Sequence, residues 1–182
     1  MKVFALLLVA IASDGPQFTA TGELVYPADY REWVFLSSGA GMTYGPAAAT
    51  HADGTPLFDN VFVNPGSYRE FLKTGKWKNG TEFILEIRNS ESHGSINKDG
   101  HFQAGMRRFE SEVKNERGEW KFYSFAMENG KPKGNGTLLP ATASCYSCHG
   151  KNTAVENTFV QFYPTLMEVA ERLGSVKKEY VR

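Results

Sequence analysis

Cys145 and Cys148 are the only cysteines of the chain, and His149 follows the second directly in TASCYSCHGKN, residues 142–152. Three chemistries use cysteines at this spacing. A redox dithiol opens a helix within a βαβ unit, and no such unit precedes residue 145. A tetrahedral zinc site needs two further ligands, and His51, His93 and His101 form no recognisable ligand pair. Covalent attachment of haem c employs all three residues. Two thiols add to the porphyrin vinyl groups, and one helical turn of spacing delivers the imidazole to the iron. The pattern points to one haem c, tethered by Cys145 and Cys148, with His149 as the proximal iron ligand. Zinc and a dithiol stay as the alternatives.

The other side of the iron has no obvious protein ligand. An electron-transfer cytochrome c carries its motif early and a methionine far downstream. Here only residues 150–182 follow the motif, and Met167 opens a short helix. Met42, Met106 and Met127 each read more readily as core than as ligand. Five-coordinate iron with an open face is the expectation.

The elements that must position this motif are strand-rich. Tyr26–Gly39 reads as a helix running into a strand, since Tyr30, Trp33 and Val34 share one helical face. Residues 39–54 are rich in Gly and Ala and read as a long loop, the kind that lines sites. FDNVFV is a short strand. A helix follows, with Asn64 as N-cap, Pro65 at its first position, Tyr68, Phe71 and Leu72 buried, and Gly75 as the stop. After the Asn79-Gly80 turn, TEFILEIR and WKFYSFAM read as strands. Between them HFQAGMRRFESEV changes phase at Arg107-Arg108, which suggests a bulge. ENGKPKGNG reads as a solvated loop. PTLMEVAERLG closes the chain as a helix. Four or five antiparallel strands with helices set apart make an α+β fold, with the haem motif near the C-terminus.

Lys plus Arg equals Asp plus Glu, 20 each, which argues against a nucleic-acid partner. Residues 1–12 resemble a cleavable export signal, with Lys2 ahead of an apolar run and Ala10-Ile11-Ala12 before Ser13. That run is far shorter than the roughly 20 residues a bilayer span requires. The expectation is a periplasmic protein, not inserted in a membrane after processing, with residues 13–182 as one domain.

The ordered set YREWVF (30–35), VFVNPGSYREF (61–71), TGKWKNGTEFILEI (74–87), EWKFYSF (119–125), CYSCHGKN and FVQFYP (159–164) resembles the cytochrome P-460 family, which includes cytochrome c′-beta. The resemblance covers about residues 23–173. It implies an antiparallel sheet with helices, a homodimer, and five-coordinate haem c in the periplasm. Hydroxylamine-oxidising members carry a lysine bonded to the haem edge. The matching position here is Leu85, which cannot form that bond, while Lys76 and Lys78 fall earlier, in the turn. The departure moves the reading toward cytochrome c′-beta, whose members bind NO and CO.

Phe58, Phe83 and Leu85 are the candidates for an apolar distal pocket, with Phe35 behind. Arg107 and Arg108 are candidates for the haem propionates, since a guanidinium fork suits a carboxylate. Glu86, opposite Leu85 in the alternation, is expected to face solvent. The functions in play are NO or CO binding and NO detoxification, oxidation of hydroxylamine or NO, and electron transfer to a redox protein. The last would use Lys131, Lys133 and Lys151 as a docking face.

Overall fold

The computed structural model describes residues 14–43 and 54–181. The expected export signal, His51 and most of the Gly/Ala-rich loop lie outside them. Six strands form one antiparallel meander in chain order: β1 (Val34–Ala40), β2 (Phe58–Val63), β3 (Glu82–Glu91), β4 (Phe102–Lys114), β5 (Trp120–Glu128) and β6 (Lys131–Leu138). Three helices accompany it: α1 (Pro65–Thr74), α2 (Ser144–Lys151) and α3 (Pro164–Arg172). The α+β architecture is the expected one, with one strand more than the upper count. Among the described residues no helix is long and apolar enough to cross a membrane.

Two expectations change. Of the helix running into a strand expected over 26–39, the helical part contracts to one 3-10 turn, Tyr30–Glu32, and the strand is β1 from Val34. Val34 and Phe35 favour the pleat, and antiparallel pairing with Val63 and Phe62 decides the matter. The ENGKPKGNG loop is instead a tight turn at Asn129-Gly130, both at positive φ, followed by β6. Its glycines look like loop residues but serve an edge strand. Gly136 exchanges backbone hydrogen bonds of 3.0 and 2.7 Å with Leu24. A Cβ there would meet the Phe125 ring at 2.7 Å, so only glycine lets that ring lie against the strand.

The buried stripe expected of α1 holds only in part, since Phe71 is fully buried and Tyr68 partly, while Leu72 sits on the solvent side, 37% exposed; the local signals fare better. Pro65 starts α1, and Gly75 ends it in the left-handed conformation, φ 67°. Asn64 is the N-cap residue, but its side chain does not cap. It is fully buried, accepts from the Glu82 backbone N–H at 3.0 Å and donates to the Gly80 carbonyl at 3.1 Å. It thereby ties the helix entry to the start of β3. The phase change in β4 is a bulge: Ile87 pairs with Arg108 and Arg88 with Met106, leaving Arg107 as the extra residue.

Alternation gives the sheet two dissimilar faces. On the first, Val63, Phe83 and Trp120 pack with Phe71, Trp77, Tyr163, Leu166, Val169 and Ala170 beneath α1 and α3. On the second, Phe62, Ile84, Phe109, Val113, Tyr123 and Phe125 are closed over by Leu24 and Tyr30. Phe109 is the centre of that layer, edge-on to Tyr26, Tyr30 and Phe125 at 5.0 to 5.2 Å.

Candidate functional site

Cys145, Cys148 and His149 occupy positions i, i+3 and i+4 of α2 and so share one face of the helix. All three are partly buried, while Ser144, Ser147, Gly150 and Lys151 are exposed. Both cysteines are free thiols. Burial, with Glu110 adding to it, pushes the Cys145 thiol above its ordinary pKa. That disfavours the thiolate which zinc ligation and disulfide exchange both require. Among the described residues no group of three or more His, Cys, Asp and Glu is arranged to hold a metal ion.

His149 is held from several sides. Its ring sits edge-on between Phe122 of β5 and Phe159, each 4.6 Å away between centroids. Its Nδ1 donates to the Asn157 carbonyl at 2.8 Å. This tautomer leaves Nε2 with the lone pair, the form an axial iron ligand needs. The loop that supplies the carbonyl is itself braced. Lys114 Nζ donates to Glu156 Oε2 at 2.7 Å and to the Trp77 carbonyl at 2.8 Å. Trp77 Nε1 donates to Thr158 Oγ1 at 2.8 Å, and Thr153 Oγ1 donates to the His149 carbonyl at 2.6 Å. Asn157 therefore lies between two pinned neighbours.

Two carboxylates of β4 face α2. Glu112 Oε1 lies 3.3 Å from His149 Nδ1. It is buried and makes no hydrogen bond, because the Nδ1 proton is directed at Asn157. Burial pushes the Glu112 carboxyl up, opposed only in part by the imidazole. Burial likewise raises Glu110, against the pull of Arg108.

The cross-strand rows of this face differ sharply. Val63, Phe83, Glu112 and Phe122 form one row, and all are buried. The adjacent row is Val61, Leu85, Glu110 and Ser124, and every member is only partly covered. An antiparallel sheet tolerates such a row, because one of its faces need not be fully covered. Beside the partly buried thiols the row offers a cradle of partly covered apolar surface from Val61 and Leu85, which suits a flat, mostly apolar group. The donor set agrees: two free thiols, one imidazole whose Nε2 keeps its lone pair, and no further ligand cluster among the described residues suit haem c.

The anticipated residues separate accordingly. Leu85 lies in the partly covered row. Phe83 lies one row deeper, packed on Trp77, Trp120 and Tyr163. Phe58 shares the opposite face with Asn60 and Phe62 by strict alternation. Phe35 is edge-on to Phe62 at 5.5 Å, also away from Leu85. Arg108 shares the α2-facing side of β4 and lies 3.6 Å from Glu110. Arg107 occupies the bulge. Glu86 overturns the expectation of solvent exposure: it is fully buried on the second face, paired with Arg31 and Arg88 at 2.5 Å each. Tyr26, Tyr30 and Leu24 cover what alternation alone left open. Lys76 and Lys78 are exposed, as expected. Lys131 and Lys133 are exposed on β6, and Lys133 is paired with Glu128 at 2.6 Å.

Glu112, Phe122, Phe159 and the Lys114–Glu156 brace escaped the sequence reading. The available signal was the run Arg108, Glu110, Glu112, Lys114, a polar stripe at period two in a long strand. Such a stripe ordinarily marks a solvated face, and here α2 and its following loop cover much of it.

No curated protein matches the chain. The model of the cytochrome P460 family matches residues 27–160, which include all six strands, α1, α2 and the cysteine-histidine motif. The chain belongs to the cytochrome P460 family, and as such it is a haem protein.

Proposed function

We propose that the chain is an exported mono-haem c-type cytochrome whose iron is five-coordinate, and that it binds or detoxifies NO, with CO as a second ligand. Cys145 and Cys148 would hold the porphyrin by thioethers, and His149 Nε2 would ligate the iron. The haem supplies a metal centre able to take a diatomic ligand on its open side. Around it the chain's own residues orient the proximal imidazole through Asn157 and present an apolar surface from Val61 and Leu85. Arg107 and Arg108 are the candidates for the propionates.

The disposition of the methionines carries this reading. Met106 and Met127 pack against the second face of the sheet, across it from α2. Met167 is buried in the core beneath α3. Three of the four sulfurs weighed as a sixth ligand are thus engaged away from the cradle. Leu85, where a haem-linking lysine would stand, supports ligand binding over hydroxylamine oxidation. One observation favours oxidation as the second reading: Glu110, in the same row as Leu85, is a carboxyl that burial predisposes to hold a proton. The family membership and the N-terminal pattern support export and a homodimer as further parts of the proposal.

Intact mass and the absorption spectrum of the reduced protein test it together. The expected mass is chain plus one haem, with no hydrogen pair lost to a further cross-link. The expected ferrous spectrum is high-spin, and NO and CO both change it. A low-spin ferrous spectrum would sink the open-face reading in favour of electron transfer. A lost hydrogen pair with a strongly red-shifted Soret band would favour the oxidase.

A further inference from the structure

We propose that Glu112 is a positioning and tuning residue for the axial histidine, a second acceptor that competes with the Asn157 carbonyl for the single Nδ1 proton of His149. The inference rests on the haem reading given above and adds to it a role for a residue of the sheet.

The geometry is that of one donor and two acceptors. Nδ1 lies 2.8 Å from the Asn157 oxygen and 3.3 Å from Glu112 Oε1. The carbonyl holds the better-aligned bond, and the carboxylate oxygen is left buried with no hydrogen bond of its own. A buried carboxylate oxygen without a partner is costly. The two buried acids of β3 are better served. Glu82 accepts from Ser111 at 3.1 Å, and Glu86 has Arg31, Arg88, Tyr30 and Asn60 around it. Glu112 is directed instead at the one side chain whose basicity a bound iron would feel.

A carboxylate is a stronger acceptor than a peptide carbonyl. The more the Nδ1 proton is drawn to Glu112, the more electron density Nε2 delivers to the metal. The two acceptors belong to different parts of the fold. Glu112 is fixed in β4, whereas Asn157 is held by the Lys114–Glu156 brace. Changes at the two should therefore act in opposite directions, which distinguishes tuning from a loss of packing.

The test uses the haem-loaded protein and two readouts, the ferrous iron–histidine stretching band by resonance Raman and the reduction potential. Glu112→Gln keeps the shape and removes the strong acceptor, so the band should shift down and the potential should rise. Lys114→Met loosens Asn157 and frees the proton for Glu112, so the band should shift up. Glu110→Gln alters a neighbouring carboxyl that makes no Nδ1 contact and should leave the band unmoved. An unmoved band in haem-loaded Glu112→Gln overturns the proposal while leaving the haem reading intact. If that variant does not load haem, an unmoved or down-shifted band in Lys114→Met overturns it instead. Absence of the haem mass increment in the unsubstituted protein overturns the haem reading and this role together.

Discussion

The two faces of the sheet use the same residue types to different ends. On the second face the acids of β3, Glu82 and Glu86, are fully enclosed and provided with partners. Aromatic rings meet edge-on there, the geometry their quadrupoles prefer. On the first face the acids of β4 point at α2, one with a buried oxygen that lacks a hydrogen bond and one in a partly covered row. The closed face is built for stability. The other leaves polar groups unsatisfied and surface uncovered beside a tethering motif, a cost that a structural layer would not retain.

That contrast breaks most visibly at the thiols. Replacing both Cys145 and Cys148 by Ser should abolish covalent haem, read as loss of the mass increment in denatured protein, while the strands persist by circular dichroism. Phe109→Ala, in the closed layer, should destabilise the fold by about 3–5 kcal/mol in urea unfolding and leave thioether attachment intact. Glu86→Ala strands two guanidinium groups, one of them half-exposed, and should cost on the order of 3 kcal/mol, again without touching haem attachment.

Glu82 sharpens the comparison through pH. Burial pushes its carboxyl up to about 8 from 4.5, so the folded state holds a proton that the unfolded chain releases. Its contribution is complete below the unfolded value of 4.5 and is lost as pH rises through about 8. Stability should therefore fall across that window by a few kcal/mol, and Glu82→Gln should flatten the profile, as urea midpoints at pH 5 and pH 8 would reveal. The smallest effect belongs to the partly covered row. Leu85→Ala should cost about 1–2 kcal/mol, less than Phe109→Ala, because Leu85 is smaller and only partly buried, yet it should alter the NO or CO dissociation rate. A cost equal to that of Phe109→Ala would erase the distinction between the faces.

Much of this was legible beforehand because it is local. The shared face of the three residues proposed to hold haem follows from spacing alone, since i, i+3 and i+4 lie together wherever the helix docks. Pro65 and Gly75 bracket α1 through their own backbone preferences. The phase change at Arg107-Arg108 announced the bulge, because alternation has only two states.

Other features depended on residues distant in the chain. ENGKPKGNG has the composition of a loop and became β6 because β5 and Leu24 offered ladders on either side. Glu86 looked solvated until Tyr30 and Arg31 closed over it, and alternation cannot say what lies above a face. The sequence by itself determined the spacing of Cys145, Cys148 and His149, their helix and the strand periodicity, all set by short-range backbone geometry. Only the tertiary structure decided which carboxylates are enclosed, which row of the sheet stays partly open and what His149 Nδ1 meets, because those depend on packing between segments far apart in the chain.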